Sequence, residues 1–578
     1  MTGPAAPKDP EKARPFFYIL KDKDIFGERQ KDGTGIQFIY ESDGRLINSA
    51  QITGNVTDKE ELTLLETVEG FGRLVHSIGV SVETDRPKET AEFVFQMYGK
   101  KDLYGGGTNL TTSLKCDGME HRIYLSDYRW TEDDHVPGQI KILFAAPERM
   151  GKVSVRLFLN DGYEAPPEEE DLVIDMHSEE YCGMISRSML QLGNPYRIRK
   201  AIEKSKAGKE VTLAYIGGSI TQGAGAIPIH TECYAYKSFQ LFQNRFSTQN
   251  NVRFIKAGVG GTPSELGMIR FDRDVLREGE RPDIVVIEFA VNDEGDETKG
   301  VCYESLVRKV LKLPWKPAVV LLFSVFANDW NLQERLRPVG DLYDLPMVSI
   351  RDAVTPQFSL KCGAGRILSK NQFFYDIFHP NNTGHTIMAD CLQYLFERCD
   401  AAEPARVGTF VEGMTEEQIL SEKLSGPAVI GADFERIFLL DKKNRYVGAK
   451  IRAGGFTSTD MELQSVEMDG NLTQTPEFPY NWMYDGSRPQ MPGFEMEITC
   501  KSLFLIFKDS GEMDVGKANV FVNDVYCMTA DPHKNNWLHC NAVLLFWETE
   551  SRSHKVRIAV TEEDRNKKFT ILGFGYTI

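Results

Sequence analysis

The sequence predicts an α/β domain, a parallel sheet with helices on both faces in three layers, flanked by an N-terminal and a C-terminal all-β domain of sandwich, jelly-roll-like type. Three observations carry this. Between about residues 181 and 402, apolar runs of strand length alternate with amphipathic helical patterns, as in a parallel sheet covered on both sides. Residues 16–180 show period-two alternation broken by turn signals. Residues 403–578 again read as short strands with turns between them, for which a sandwich is the natural solution. A chain of 578 residues is long enough for three or four domains.

Taken in order, residues 1–15 are rich in Pro, Ala and Lys, have no apolar h-region, and are expected to be a disordered lead. Residues 139–146 and 152–160 read as strands. In the second, Val153, Val155, Leu157 and Leu159 share one face. Gly105-Gly106-Gly107 and Asp161-Gly162 are turn signals. Pro166-Pro167 followed by Glu168, Glu169, Glu170 and Asp171 reads as a linker or solvated edge. In the middle region, 211–216, 253–257, 283–289 and 318–325 are the buried strands. Tyr303, Leu306, Val307, Val310 and Leu311 recur at helical spacing, as do Ile387, Cys391, Leu392, Leu395 and Phe396. In the last region, 503–507, 518–522, 556–560 and 569–576 are the short strands.

A net charge of −17 argues against a nucleic-acid partner, and no run is long and apolar enough for a membrane helix. The ten cysteines are scattered, with no C-x-x-C and no zinc spacing, and are expected to be free buried thiols. Neither a metal nor a cofactor is expected. Dispersed thiols and the missing h-region point to the cytoplasm, although a mature secreted chain would read the same. A homo-oligomer is left open.

Tyr215-Ile216-Gly217-Gly218-Ser219-Ile220-Thr221 places a serine on a glycine turn after an apolar strand. In a doubly wound sheet this is the edge where ligands bind. Far downstream, Asp376-Ile377-Phe378-His379-Pro380 offers a carboxylate and an imidazole three residues apart, the base and orienting partner that a serine needs to attack a carbonyl. Two further blocks also follow strands, Lys256-Ala257-Gly258-Val259-Gly260-Gly261-Thr262 and Ala290-Val291-Asn292-Asp293. The carboxyl ends of parallel strands share one edge, so the four blocks can converge. Taken singly, Ser219 could cap a helix, Asn292-Asp293 could be turn chemistry, and His379 could be an ordinary loop histidine.

Together, in this order and context, the blocks resemble those of the SGNH hydrolases (GDSL esterase/lipase superfamily), over roughly residues 185–400. The resemblance implies a flavodoxin-like domain with Ser219 as nucleophile, His379 as base and Asp376 as its orienting acid. It implies an oxyanion hole built from the N–H groups of Ser219 and Gly261 and the side-chain amide of Asn292, with Gly260 as the alternative glycine. Two departures stand out: Gly218 replaces the acid of the usual Gly-Asp-Ser, and Lys256 stands where an asparagine is frequent. Trp330, Gly260 and His230 are candidates to border the substrate, and His385 reads as structural. Trp482, Trp537 and Tyr480 could line a carbohydrate platform but read first as sandwich core.

The activity so implied is that of a multidomain carbohydrate acetylesterase, a serine carboxylic-ester hydrolase that removes O-acetyl groups from acetylated oligo- or polysaccharides. One outer domain is expected to wall the cleft. A hydrolase of longer acyl chains, lipase- or thioesterase-like, and a non-catalytic carbohydrate-binding protein are the alternatives.

Overall fold

In the middle of the chain the computed structural model builds a six-stranded sheet; it describes residues 12–42, 44–277, 279–402, 414–468 and 473–578. Strands Val211–Gly217, Ile284–Glu288 and Ala318–Phe323 are buried at every position, as strands covered on both faces must be. The parallel strands Val252–Gly258, Val211–Gly217, Ile284–Glu288, Ala318–Phe323 and Met347–Ser349 lie side by side in that order, with Met189–Gln191 antiparallel at the far edge. In chain order the parallel strands run 2-1-3-4-5, so the topology reverses between Val211–Gly217 and Ile284–Glu288, the place where ligands bind in such sheets. Gly217 pairs with both Gly258 and Glu288, so the ends of these three strands are level.

Alternation along each strand feeds two cores. Tyr215, Val286 and Val320 face helices Tyr196–Lys206, Tyr234–Phe246 and Asn382–Ala401. Ile216, Ile287 and Leu321 face helices Ser264–Phe271, Val301–Leu311 and Gln333–Tyr343. The three-layer α/β domain is as the sequence predicts.

The N-terminal region stacks two antiparallel sheets of four and five strands around one core. Strand Met150–Leu159 turns Val153, Val155, Leu157 and Leu159 into it. The region is not all-β. Helices Arg45–Thr53, Lys59–Leu64 and Val68–Leu74 also pack on the core through Leu46, Ala50, Leu62 and Phe71. Asp58 caps the second of them and Thr67 the third, a start signal legible in the sequence. The lead expected over 1–15 lies outside the described residues up to residue 11; Lys12 and Arg14 pair with Asp161. The acidic run straps the first domain to the second, Glu168 to Lys21 at 2.9 Å and Glu169 to Arg366 at 2.5 Å.

The C-terminal region begins with helix Glu416–Ser425, closed by a Thr415/Gln418 capping box, where only strands were expected. The stretches 503–507 and 556–560 belong to two far longer strands, Phe494–Asp509 and His539–Val560. Bulges at Cys500/Ser502 and Leu503/Phe504 bend the pair so that one eight-stranded sheet folds over its own core. Its outer face puts Phe504, Ile506 and Leu572 into the same core as helices Ser264–Phe271 and Val301–Leu311. Each fully buried side chain of this kind contributes about 1.5–3 kcal/mol, so the sheet is docked as part of a core. None of the ten cysteines forms a disulfide, and Cys182, Cys362 and Cys527 are exposed rather than buried. Among the described residues no helix is long and apolar enough to cross a membrane.

Candidate active site

Strand Val211–Gly217 ends at Gly218, and Ser219 opens the short helix Ser219–Gln222. Helix Asn382–Ala401 is capped by the side chain of Asn381, and the loop before it carries Asp376 and His379. Ser219 Oγ lies 2.9 Å from His379 Nε2, and His379 Nδ1 lies 3.0 Å from both carboxylate oxygens of Asp376. A carboxylate only accepts, so Nδ1 carries the proton and Nε2 is free to accept from the serine hydroxyl. Asp376 Oδ1 also accepts from the N–H groups of Phe378 and His379, both at 2.8 Å. Burial pushes the Asp376 carboxyl up, but the charge and hydrogen bond of His379, with Arg45 and the Phe378 N–H, outweigh it and hold the group at about 2.

Gly261, exposed and at φ +69°, and Asn292 sit on the two neighbouring strand ends. A side chain at Gly218 would place its Cβ 2.2 Å from Asn292 Oδ1. The turn before Ser219 is therefore pressed onto the Asn292 amide, and only glycine fits there.

Three buried charged residues brace this turn, and of them only Lys256 stands out in the sequence, in the place of a frequent asparagine. Glu288 accepts from Thr221 Oγ1 at 3.0 Å, from Ser324 Oγ and from the Gly218 N–H. Burial raises its carboxyl, and these bonds oppose the rise. Glu288 thus brings a carboxylate to the turn where the usual Gly-Asp-Ser has its own. Lys256 donates to Gln222 O at 3.0 Å, at the end of the helix that Ser219 opens. Arg270 donates to Ala257 O at 2.7 Å and Gly217 O at 2.8 Å, tying two strand ends together.

The flanking domains also reach the site. Lys23, buried in the N-terminal domain, donates to Phe374 O and, at 3.3 Å, to Asn371 O, while Tyr375 packs against that domain's core. The loop of Asp376 and His379 is thereby anchored from one side. Trp537, 43% exposed, lies against Gly261 from the C-terminal domain, whereas Trp482 is buried in that domain's core. Trp330 stacks on Phe326 at 5.6 Å, and Phe326 packs edge-on to Phe378, the neighbour of His379. Gly260 is buried beside Gln222. His230 sits on helix Ile229–Glu232 and faces Glu28 of the N-terminal domain by charge. Among the described residues no group of three or more His, Cys, Asp or Glu side chains is arranged to hold a metal.

His385 is fully buried, accepting from Tyr234 N–H and donating to Ala224 O, both at 3.1 Å. Burial depresses it from 6.5 to about 3. The unfolded chain therefore binds a proton there that the folded chain refuses, and stability falls as pH drops below 6.5, by about 1.4 kcal/mol per unit from this residue, down to about 3. Melting temperatures of wild type and His385→Gln between pH 4 and 7 should show a flatter acid slope in the variant. Equal slopes would refute this.

A parallel α/β domain with hydroxyl, imidazole and carboxylate in series at its switch point has the architecture of a hydrolase. Residues 215–387 match the model of the GDSL-like Lipase/Acylhydrolase family, and the middle domain is a GDSL-like lipase/acylhydrolase domain. Among solved structures, a two-domain esterase (CEX) active on acetylated mannans superposes with a TM-score of 0.54 at 24% identity, covering 68% of this chain and 98% of that one. The same esterase co-crystallized with mannopentaose gives 0.53, with the same identity and coverage. At this identity the likeness is one of fold. No curated protein matches the chain in sequence.

Proposed function

We propose that this protein is a serine ester hydrolase that removes O-acetyl groups from acetylated oligo- or polysaccharides. The observation that carries the reading is the hydrogen-bonded series Ser219–His379–Asp376. Ser219 Oγ attacks the ester carbonyl as His379 Nε2 takes its proton, and Asp376, ionised, holds the imidazole and stabilises its cation. The carbonyl oxygen becomes an oxyanion, met by the N–H groups of Ser219 and Gly261 and by the Asn292 amide. The intermediate collapses as Nε2–H protonates the departing sugar hydroxyl, leaving acetyl on Ser219. Water, deprotonated by the same imidazole, then releases acetate and restores the serine.

The carbohydrate part has two supports. Trp537 and the Phe378–Phe326–Trp330 array place aromatic faces beside the oxyanion and acid–base loops, and such rings pack well on amphipathic surfaces like those of sugars. The esterase active on acetylated mannans shows that a related fold accommodates such substrates. Acetate release from acetylated mannan, xylan and pectin fragments is the test, with aryl esters of rising chain length as comparison. Turnover of at least one acetylated fragment is expected, with kcat/KM falling at least about 100-fold from acetate to octanoate. A flat or rising chain-length profile would instead identify a hydrolase of long acyl chains.

A further inference from the structure

The Gly260-Gly261 turn is held by a domain other than its own. Gln464, in the C-terminal region, donates through Nε2 to Gly260 O at 2.8 Å, and its Oε1 accepts from the Cys540 N–H at 3.0 Å. Both ends of this side-chain amide are engaged, so its orientation is fixed. One residue on, His539 Nε2 lies 3.1 Å from Gly261 O. A carbonyl only accepts, so Nε2 carries a proton. Behind the ring, His539 Nδ1 lies 3.2 Å from Asn535 Nδ2 and 3.3 Å from Oδ2 of the fully buried Asp509, to which Asn535 Nδ2 also donates. Two successive carbonyls are thus drawn towards the C-terminal domain.

A trans peptide is planar, with its C=O and following N–H pointing in opposite directions. The carbonyl of Gly260 points at Gln464, so the N–H of Gly261 points away from the C-terminal domain. Among the described residues that N–H has no protein acceptor. The bond from His539 fixes the next peptide plane, and Trp537 closes the outside, 2.9 Å from where a Gly261 Cβ would be. Each plane alone could rotate, since Gly261 sits in the left-handed region at φ +69° with no side chain to restrain it.

We propose that Gln464 and His539 are positioning residues that lock the Gly261 N–H in its oxyanion-binding direction, so that the hydrolase site is complete only with the C-terminal domain in place. This rests on the reading of Gly261 as an oxyanion donor. An oxyanion donor works because it needs no reorganisation as charge develops, and a glycine turn free to flip would lose that advantage. Catalysis, not substrate binding, should suffer.

The experiment compares full-length wild type, Gln464→Met, His539→Phe, His539→Gln and the Gln464→Met/His539→Phe pair on a small aryl acetate, with melting temperature measured in parallel. The first two should lower kcat by about 10-fold each with KM within about 2-fold, and the pair should approach the roughly 10²–10³ loss expected for one missing oxyanion donor. His539→Gln, which returns an N–H donor of similar reach, should recover most of the kcat at unchanged melting temperature. Unchanged kcat in Gln464→Met and His539→Phe would overturn the proposal. So would a kcat loss that tracks loss of folded protein, or one that His539→Gln fails to relieve while folded. Inactive wild type would sink the ester-hydrolase reading itself, an outcome distinct from active wild type with indifferent variants.

Discussion

Replacing Ser219 by alanine should lower kcat for ester hydrolysis by about 10⁶-fold, the scale seen when a triad nucleophile is removed. The fold should survive. The lost hydroxyl makes one bond, to His379, worth about 1 kcal/mol net. No neighbouring hydroxyl can substitute, because Thr221 Oγ1 is buried and engaged by Glu288 at 3.0 Å and Tyr234 at 2.8 Å. Aryl acetate turnover and thermal melting of the same preparation decide the matter. Activity within about 100-fold of wild type, in a folded variant, would end the serine mechanism for this site.

The parallel sheet was legible because each of its central strands is an unbroken apolar run and each helix a periodic one. The series Ser219, His379 and Asp376 was reached through four short blocks whose only common property is position at a strand's carboxyl end. What surrounds those residues was not legible. Glu288, Lys256 and Arg270 are charged side chains in a buried layer, and a sequence does not show which carbonyl or hydroxyl will satisfy them. Gln464 and His539 lie 204 and 278 residues from the glycines whose carbonyls they bond, and a contact between domains leaves no periodicity behind. The long strand His539–Val560 was hidden for another reason. Its middle, Glu548 to Ser553, is charged or polar and largely exposed, and it reads as a loop; pairing with Phe494–Asp509 stops at Trp547 and resumes at Arg552, on either side of the bend. In the N-terminal domain, helix Arg45–Thr53 buries only Leu46 and Ala50, too narrow a stripe to stand out among alternating strands.

The three domains converge on one small volume, each on a different loop. The middle domain supplies the reacting groups, the N-terminal domain anchors the loop of Asp376 through Lys23, and the C-terminal domain bonds the turn of Gly261. The C-terminal sheet shares a core with the middle domain and Tyr375 packs on the core of the N-terminal one, so these loops are held by packed side chains. This is the condition under which a site keeps its geometry before substrate arrives.

Asp376→Asn should be slow without being dead, with kcat reduced by about 10⁴-fold. The carboxylate accepts at once from His379 Nδ1–H and from two backbone N–H groups. An asparagine that keeps its oxygen on the backbone donors must turn its NH₂ towards Nδ1. The ring then carries its proton on Nε2, facing Ser219, and cannot accept the hydroxyl proton. On the proposed mechanism the oxyanion donors are untouched and leave a residual rate. The same substitution carries a stability signature with a definite sign. A carboxyl held at about 2 in the folded chain, against 3.8 unfolded, contributes stability that is fully present above about 4 and is lost as pH falls towards 2, about 2 kcal/mol in all. The variant should therefore melt lower than wild type at neutral pH, with the gap closing below pH 4. A kcat within about 10-fold of wild type would show that Asp376 does not set the tautomer of His379, and the order of proton transfers drawn from this geometry would have to be abandoned.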